Sequence, residues 1–228
     1  VPKFCHNTPP ASAGGMSTST SIPPFSQRLA GVRRHLSADG ADAVVITELL
    51  NVRYLSGFVG SAGLLVITAS ECHLLVDGRY EEVVRAGHAS GHIAATRISR
   101  VKNYDTSLIE TLRDGGWARV AFEGNHATVA QFGRWTAGLP SVVLTPVYDW
   151  VESQRIVKDE GEIRSLRDGA RRLSEVASAL GQWVAVGRTE RDVAGDIDAA
   201  MRRVGFEKPA FDTIVAAGPN SAYPHARP

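Results

Sequence analysis

Between residues 29 and 145, apolar runs of strand length alternate with stretches whose apolar residues recur at helical spacing. That alternation constrains the fold more than any other feature, because strands alternating with helices argue an α/β layer structure with helices packed on a sheet. Leu29, Val32 and Leu36 have the helical period, and Gly40 stops the helix. The runs 43–47, 63–68 and 72–77 predict strands, the last two separated by the turn-prone Ala69-Ser70-Glu71. The spacing then predicts helix 80–86, strand 93–98, helix 104–113, strand 119–123, helix 128–137 and strand 142–145. A stretch of about 125 residues with five or six strands can close a core of its own.

The texture changes after Tyr148. The segment 149–158 is polar and has no clear period, so it is expected to be a linker between a domain at 26–148 and a second region at 159–228. Asp159 followed by Glu162 forms a helix-start pattern, and Ile163, Leu166, Ala170, Leu173, Val176, Ala177 and Leu180 make one apolar face. A second helix starts at Thr189, with Asp192 in its first turn; Val193, Ile197, Met201 and Val204 form its stripe, and Gly205 ends it. The run 211–217 predicts a strand, followed by the turn cluster Gly218-Pro219-Asn220-Ser221. A lone strand has no ladder partner, and two one-sided helices need a sheet to cover. The second region is therefore expected to open a larger α+β domain whose sheet lies beyond Pro228.

Composition removes several classes of function. The 228 residues are 43% hydrophobic and 21% charged, values of an ordinary globular protein, with a formal net charge of +1. No bulk field favours nucleic acid or a membrane surface. Cys5 and Cys72 are too few for a disulfide framework and suit a reducing compartment. There is no apolar run of the roughly 18 residues that span a bilayer, and no signal-peptide pattern, so a cytoplasmic protein is expected. Residues 1–25 are expected to be a disordered tail rich in Ser, Thr, Pro, Gly and Ala; Met16 lies inside it, and residues 1–15 are not needed by the fold.

The main chemical candidate is His225, on a proline-flanked loop after the 211–217 run, with Asn220 and Ser221 close in sequence. A surface histidine with no role is the bland alternative. His88 and His92 stand at metal-ligand spacing for a helix, but Gly87 and Gly91 weaken a helix there and favour a loop. Asp196 and Asp198 point to different faces of a helix and read as solvated charges. Asp77-Gly78-Arg79-Tyr80 reads as a turn after a strand. The segment Asn51-Val52-Arg53-Tyr54-Leu55-Ser56-Gly57-Phe58 reads as a loop that packs between domains or meets a partner subunit. No phosphate-cradling loop, paired-cysteine metal knuckle or Gly-x-Ser-x-Gly elbow occurs.

Four blocks in order carry a resemblance: 51–58; 77–80; Arg155-Ile156-Val157-Lys158 with Glu162-Ile163; and Phe211-Asp212-Thr213-Ile214-Val215-Ala216-Ala217-Gly218-Pro219-Asn220-Ser221-Ala222 running into Pro224-His225. From about residue 26 to 228 the chain resembles the aminopeptidase P and prolidase family of Xaa-Pro peptidases. The resemblance implies a creatinase-like N-terminal domain followed by the start of a pita-bread metallopeptidase domain. It also implies proline-containing peptides as substrates and a homodimer in full-length form. Two divalent metal ions (Mn, Co or Zn), held by two Asp, one His and two Glu, would activate a bridging water to attack the bond preceding proline. His225 would contact substrate and stabilise the developing oxyanion. The five ligands follow the histidine block in the family and none of their motifs occurs here, so this chain alone is expected to hold no metal pair and to be inactive. A non-catalytic protein acting through association of its creatinase-like domain, or a creatinase-like amidinohydrolase, are the alternatives.

Overall fold

The computed structural model describes residues 24–228. Most of the expected tail, with Cys5 and Met16, lies outside the described residues. Phe25, assigned to that tail, instead opens the first helix and is buried. The chain divides into two compact units between Val157 and Lys158.

In the first unit the elements run α1 (Phe25–Asp39), β1 (Ala43–Ile46), α2 (Leu49–Ser56), β2 (Leu64–Thr68), β3 (Cys72–Asp77) and α3 (Glu81–Ser90). They continue with β4 (Arg97–Val101), α4 (Tyr104–Asp114), β5 (Arg119–Glu123), α5 (Val129–Gly138), β6 (Val143–Val147) and α6 (Glu152–Ile156). The strands form one six-stranded mixed sheet in the order β4-β3-β2-β1-β5-β6. The β1–β2 and β2–β3 pairs are antiparallel; β1–β5, β3–β4 and β5–β6 are parallel. Every residue of β1 is buried, which is why its sequence is an unbroken apolar run and not an alternating one. Val44 and Ile46 join a core with Leu29 and Val32 of α1, Leu55 of α2 and Val84 of α3. Ala43 and Val45 join a second core with Leu108 and Leu112 of α4 and Trp135 of α5. Successive side chains of a strand point to opposite faces, so helices cover both sides of the sheet.

Four local expectations are corrected. Residues 51–58, read as a loop, are mostly helix α2: the Glu48 side chain caps it by accepting from Leu50 N–H, and Gly57 closes it in the left-handed region at φ +79. The helix α3 runs through Gly87, which had argued against one. A Cβ there would lie 2.6 Å from Ile93, so close packing and not propensity decides the residue. The strand expected at 93–98 is displaced to Arg97–Val101, because it pairs in register with β3 (Leu74 opposite Ile98), while Ile93 and Ala94 serve as buried anchors ahead of it. The linker expected at 149–158 carries α6, and Trp150 and Val151 are buried in the first core.

The second unit contains α7 (Glu160–Ala179), a 3-10 turn (Leu180–Gln182), α8 (Glu190–Arg203) and a 3-10 turn (Gly218–Ala222). Asp159 and Glu162 form a reciprocal capping box at the start of α7, and Thr189 and Asp192 form another at α8. Of the apolar face expected on α7 only Val176 is buried; Leu166 is 60% and Leu173 51% exposed. The strand expected at 211–217 is not formed. Its residues have no ladder partner among the described residues, and a strand exists only as half of a pair. No described helix is long and apolar enough to cross a membrane.

Candidate active site

The loop that carries His225 is built from one helix. On α8, Glu190 uses both carboxylate oxygens: Oε1 accepts the Ala217 N–H at 2.6 Å, and Oε2 accepts from the Asn220 side-chain nitrogen at 2.7 Å. Two turns further along, Asp198 accepts the Thr213 hydroxyl. Within the turn the Ser221 hydroxyl donates to the Gly218 carbonyl at 2.7 Å, and the Tyr223 N–H donates to the Asn220 carbonyl at 3.2 Å. His225 follows with φ +58, in the left-handed region that few non-glycine residues occupy. Its side chain is exposed, whereas the next residue, Ala226, is buried. An imidazole raised between two fixed points can donate to, or exchange a proton with, a molecule arriving from solvent. The histidine was legible from sequence; Glu190, thirty residues away from Asn220, was not.

In the first unit the structure joins three of the four sequence blocks. The Tyr80 ring meets Phe58 edge-on with centroids 5.3 Å apart. The Tyr80 hydroxyl accepts the Ser61 N–H at 2.9 Å and lies 2.8 Å from the Ser61 hydroxyl; these bonds hold the phenol below its usual pKa. Asp77 accepts two bonds from the Arg79 guanidinium and one from its N–H, which holds the carboxyl well below the usual carboxylate range. The turn reading of 77–80 thus stands beside a second role, tying β3 to the 58–63 segment.

Asn51 supplies the third join. Its side-chain carbonyl accepts from Arg155 at 2.8 Å, and its amide nitrogen donates to Glu123 at 2.7 Å and Glu152 at 2.6 Å. Glu123, at the end of β5, also accepts the N–H groups of Thr47 at 2.6 Å and Glu48 at 2.7 Å. Burial pushes the Glu123 carboxyl above its usual pKa, against the hydrogen bonds that favour its ionised form. Sequence reading passed over Glu123, because a lone Glu at a strand end has no local signature.

The other candidates do not converge. His88 pairs with Thr96 at 2.9 Å and His92 with Ser90 at 3.0 Å, so the two rings serve local contacts. Asp196 pairs with Arg188 at 2.7 Å, and Asp198 is taken by Thr213, so neither is merely solvated. Among the described residues, no group of three or more His, Cys, Asp or Glu side chains is placed to hold a metal ion. These residues do not fit a dinuclear centre.

Residues 28–157 match the creatinase/prolidase N-terminal domain. The chain belongs to the creatinase/prolidase family. Residues 164–228 match Metallopeptidase family M24, whose name implies metal ions in its full-length members. An uncharacterised peptidase of Bacillus subtilis is 32% identical over 82% of this chain and 52% of its own length. An Xaa-Pro dipeptidase of Pyrococcus horikoshii is 25% identical over 88% of the chain and 55% of its own length. The crystal structure of an X-Pro aminopeptidase from Thermotoga maritima superposes with a TM-score of 0.73 at 28% identity, covering 85% of this chain and 55% of the other. The chain spans about half the length of the curated relatives it matches.

Proposed function

We propose that this sequence serves an Xaa-Pro peptidase, a cytoplasmic, homodimeric enzyme that cleaves the bond preceding proline with the help of two divalent ions (Mn, Co or Zn). His225 contacts the substrate and donates to the oxyanion that forms at the attacked carbonyl. The observation that carries the reading is the His225 loop itself: an exposed imidazole on a tethered turn, inside the block that resembles the Xaa-Pro peptidases. The dipeptidase and aminopeptidase names of the relatives support the substrate class. The reading assigns the metal pair to residues other than those described and expects no peptidase activity from the 228-residue chain alone.

The test uses the product of the complete reading frame that contains this sequence, supplied with Mn²⁺. At least one of an Ala-Pro dipeptide and an Ala-Pro-Ala tripeptide should be cleaved, at the bond preceding proline. Loss of an oxyanion donor typically lowers kcat about 10²- to 10³-fold, and His225→Ala should fall in that range. Cleavage of neither peptide removes the assignment; turnover of creatine in their place would establish the amidinohydrolase instead.

A further inference from the structure

We propose that Glu190 is the positioning residue of the His225 loop, a role that rests on the peptidase reading above. The geometry is a strap held at two points along α8. Asp198 takes Thr213 and Glu190 takes Ala217 and Asn220, so the segment runs opposite to the helix. Eight helical residues rise about 12 Å. Four residues, from 213 to 217, reach about 13 Å when extended. The two spacings agree, so both carboxylates can hold the segment at once.

The Glu190 end sits where the path changes direction. Ala217 is extended, with φ −131 and ψ 156, and the 3-10 turn begins at the next residue. One carboxylate oxygen fixes the last extended N–H, and the other fixes Asn220 inside the turn. From there the chain reaches exposed His225 and continues into buried Ala226. Five residues from the clamp, the imidazole inherits its direction.

A simpler reading is that Glu190 only complements the positive end of the helix, as acidic residues in a first turn do. The capping box of α8 is completed by Thr189 and Asp192, however, and both Glu190 oxygens are spent on the loop. A dipole role would need neither partner.

The decisive substitution is Glu190→Ala, which removes both acceptors of the loop at once. In the product of the complete reading frame, kcat on the Ala-Pro peptides should fall between about 10- and 100-fold, since a misplacement near 1 Å costs up to about 10². KM should change little. Glu190→Gln keeps an oxygen for the Ala217 N–H and a nitrogen that can donate to Asn220 once that amide turns over, so it should retain most of kcat. A drop that follows loss of thermal stability and is equally large in Glu190→Gln would overturn the positioning role, as would a Glu190→Ala enzyme as active as the wild type.

A second measurement does not depend on activity. By NMR on the 228-residue chain, Glu190→Ala should speed exchange of the Ala217 amide at least about tenfold, as expected when a protecting hydrogen bond is lost, and should shift the His225 ring resonances. Unchanged exchange and unchanged ring shifts would overturn the clamp. Should the wild type cleave neither peptide, the peptidase reading fails while these two measurements still decide the clamp.

Discussion

Removing the Glu123 carboxylate asks whether the corner between β1 and α2 is held from inside the sheet. Glu123 is 8% exposed and Asn51 has no exposure, so the Asn51 N–H that Glu123 accepts cannot turn to water if that carboxylate vanishes, while the other N–H keeps Glu152. Glu123→Ala strands that donor together with the N–H groups of Thr47 and Glu48. A buried donor left unsatisfied costs about 1–3 kcal/mol, and the two backbone groups, being only partly buried, regain water at lower cost. The sum is about 2–5 kcal/mol. Glu123→Gln keeps an acceptor for the backbone but sets its amide against that of Asn51, so it should cost about 1–2 kcal/mol. The pH dependence separates the causes. Burial raises the folded-state pKa of Glu123 above 4.5, and the Glu152 charge adds to it. A raised folded value means the folded chain binds the proton more tightly, so this group's stabilisation is complete below the unfolded pKa and is lost as pH rises through the folded one. Glutamine does not titrate. In urea titrations followed by tryptophan fluorescence, the wild type should therefore lose ground to Glu123→Gln as pH rises above 4.5. A wild type that gains on the variant over that window would refute the argument, since hydrogen bonding would then outweigh burial. A Glu123→Ala cost below about 1 kcal/mol would show that the corner is held by other contacts.

Gly57 and Gly116 both adopt left-handed backbone, at φ +79 and φ +67, but differ in surroundings. At Gly116 an added Cβ meets nothing within 4 Å, so Gly116→Ala should cost only the backbone strain, about 1–2 kcal/mol. At Gly57 it would lie 2.3 Å from the His92 carbonyl oxygen and 2.7 Å from Phe25, so Gly57→Ala should cost more by at least about 1 kcal/mol; equal midpoints in chemical denaturation would contradict this. Cys72 is 5% exposed and burial pushes its thiol up to about 12. Iodoacetamide at neutral pH should leave the peptide containing Cys72 unmodified in the native chain and alkylate it once urea unfolds the protein, as read by mass spectrometry; rapid native labelling would show that the core around it opens.

What could be read in the sequence follows from where each residue finds its partner. The bounds of β3 and β5 match the expected 72–77 and 119–123, because each apolar run ends at a carboxylate residue, Asp77 or Glu123. The helix α2 was missed because Val52 and Leu55 alone make too short a period. Its signals were at the ends, in the Glu48 cap and in Gly57, and its placement depends on Glu123, seventy-two residues from Asn51. The 211–217 run failed the other way. Thr213, Ile214 and Val215 have the stiff branched side chains that suit a strand, yet propensity supplies no ladder partner, and α8 side chains hold the segment at Thr213 and Ala217. The same dependence governs the candidate site. His225 could be placed on a loop from its neighbours alone, but what directs the loop is a glutamate that sequence reading assigns to a helix start, where acidic residues are ordinary. A residue with a sufficient local reason to be present conceals its distant one, and only the geometry of its two oxygens separates them.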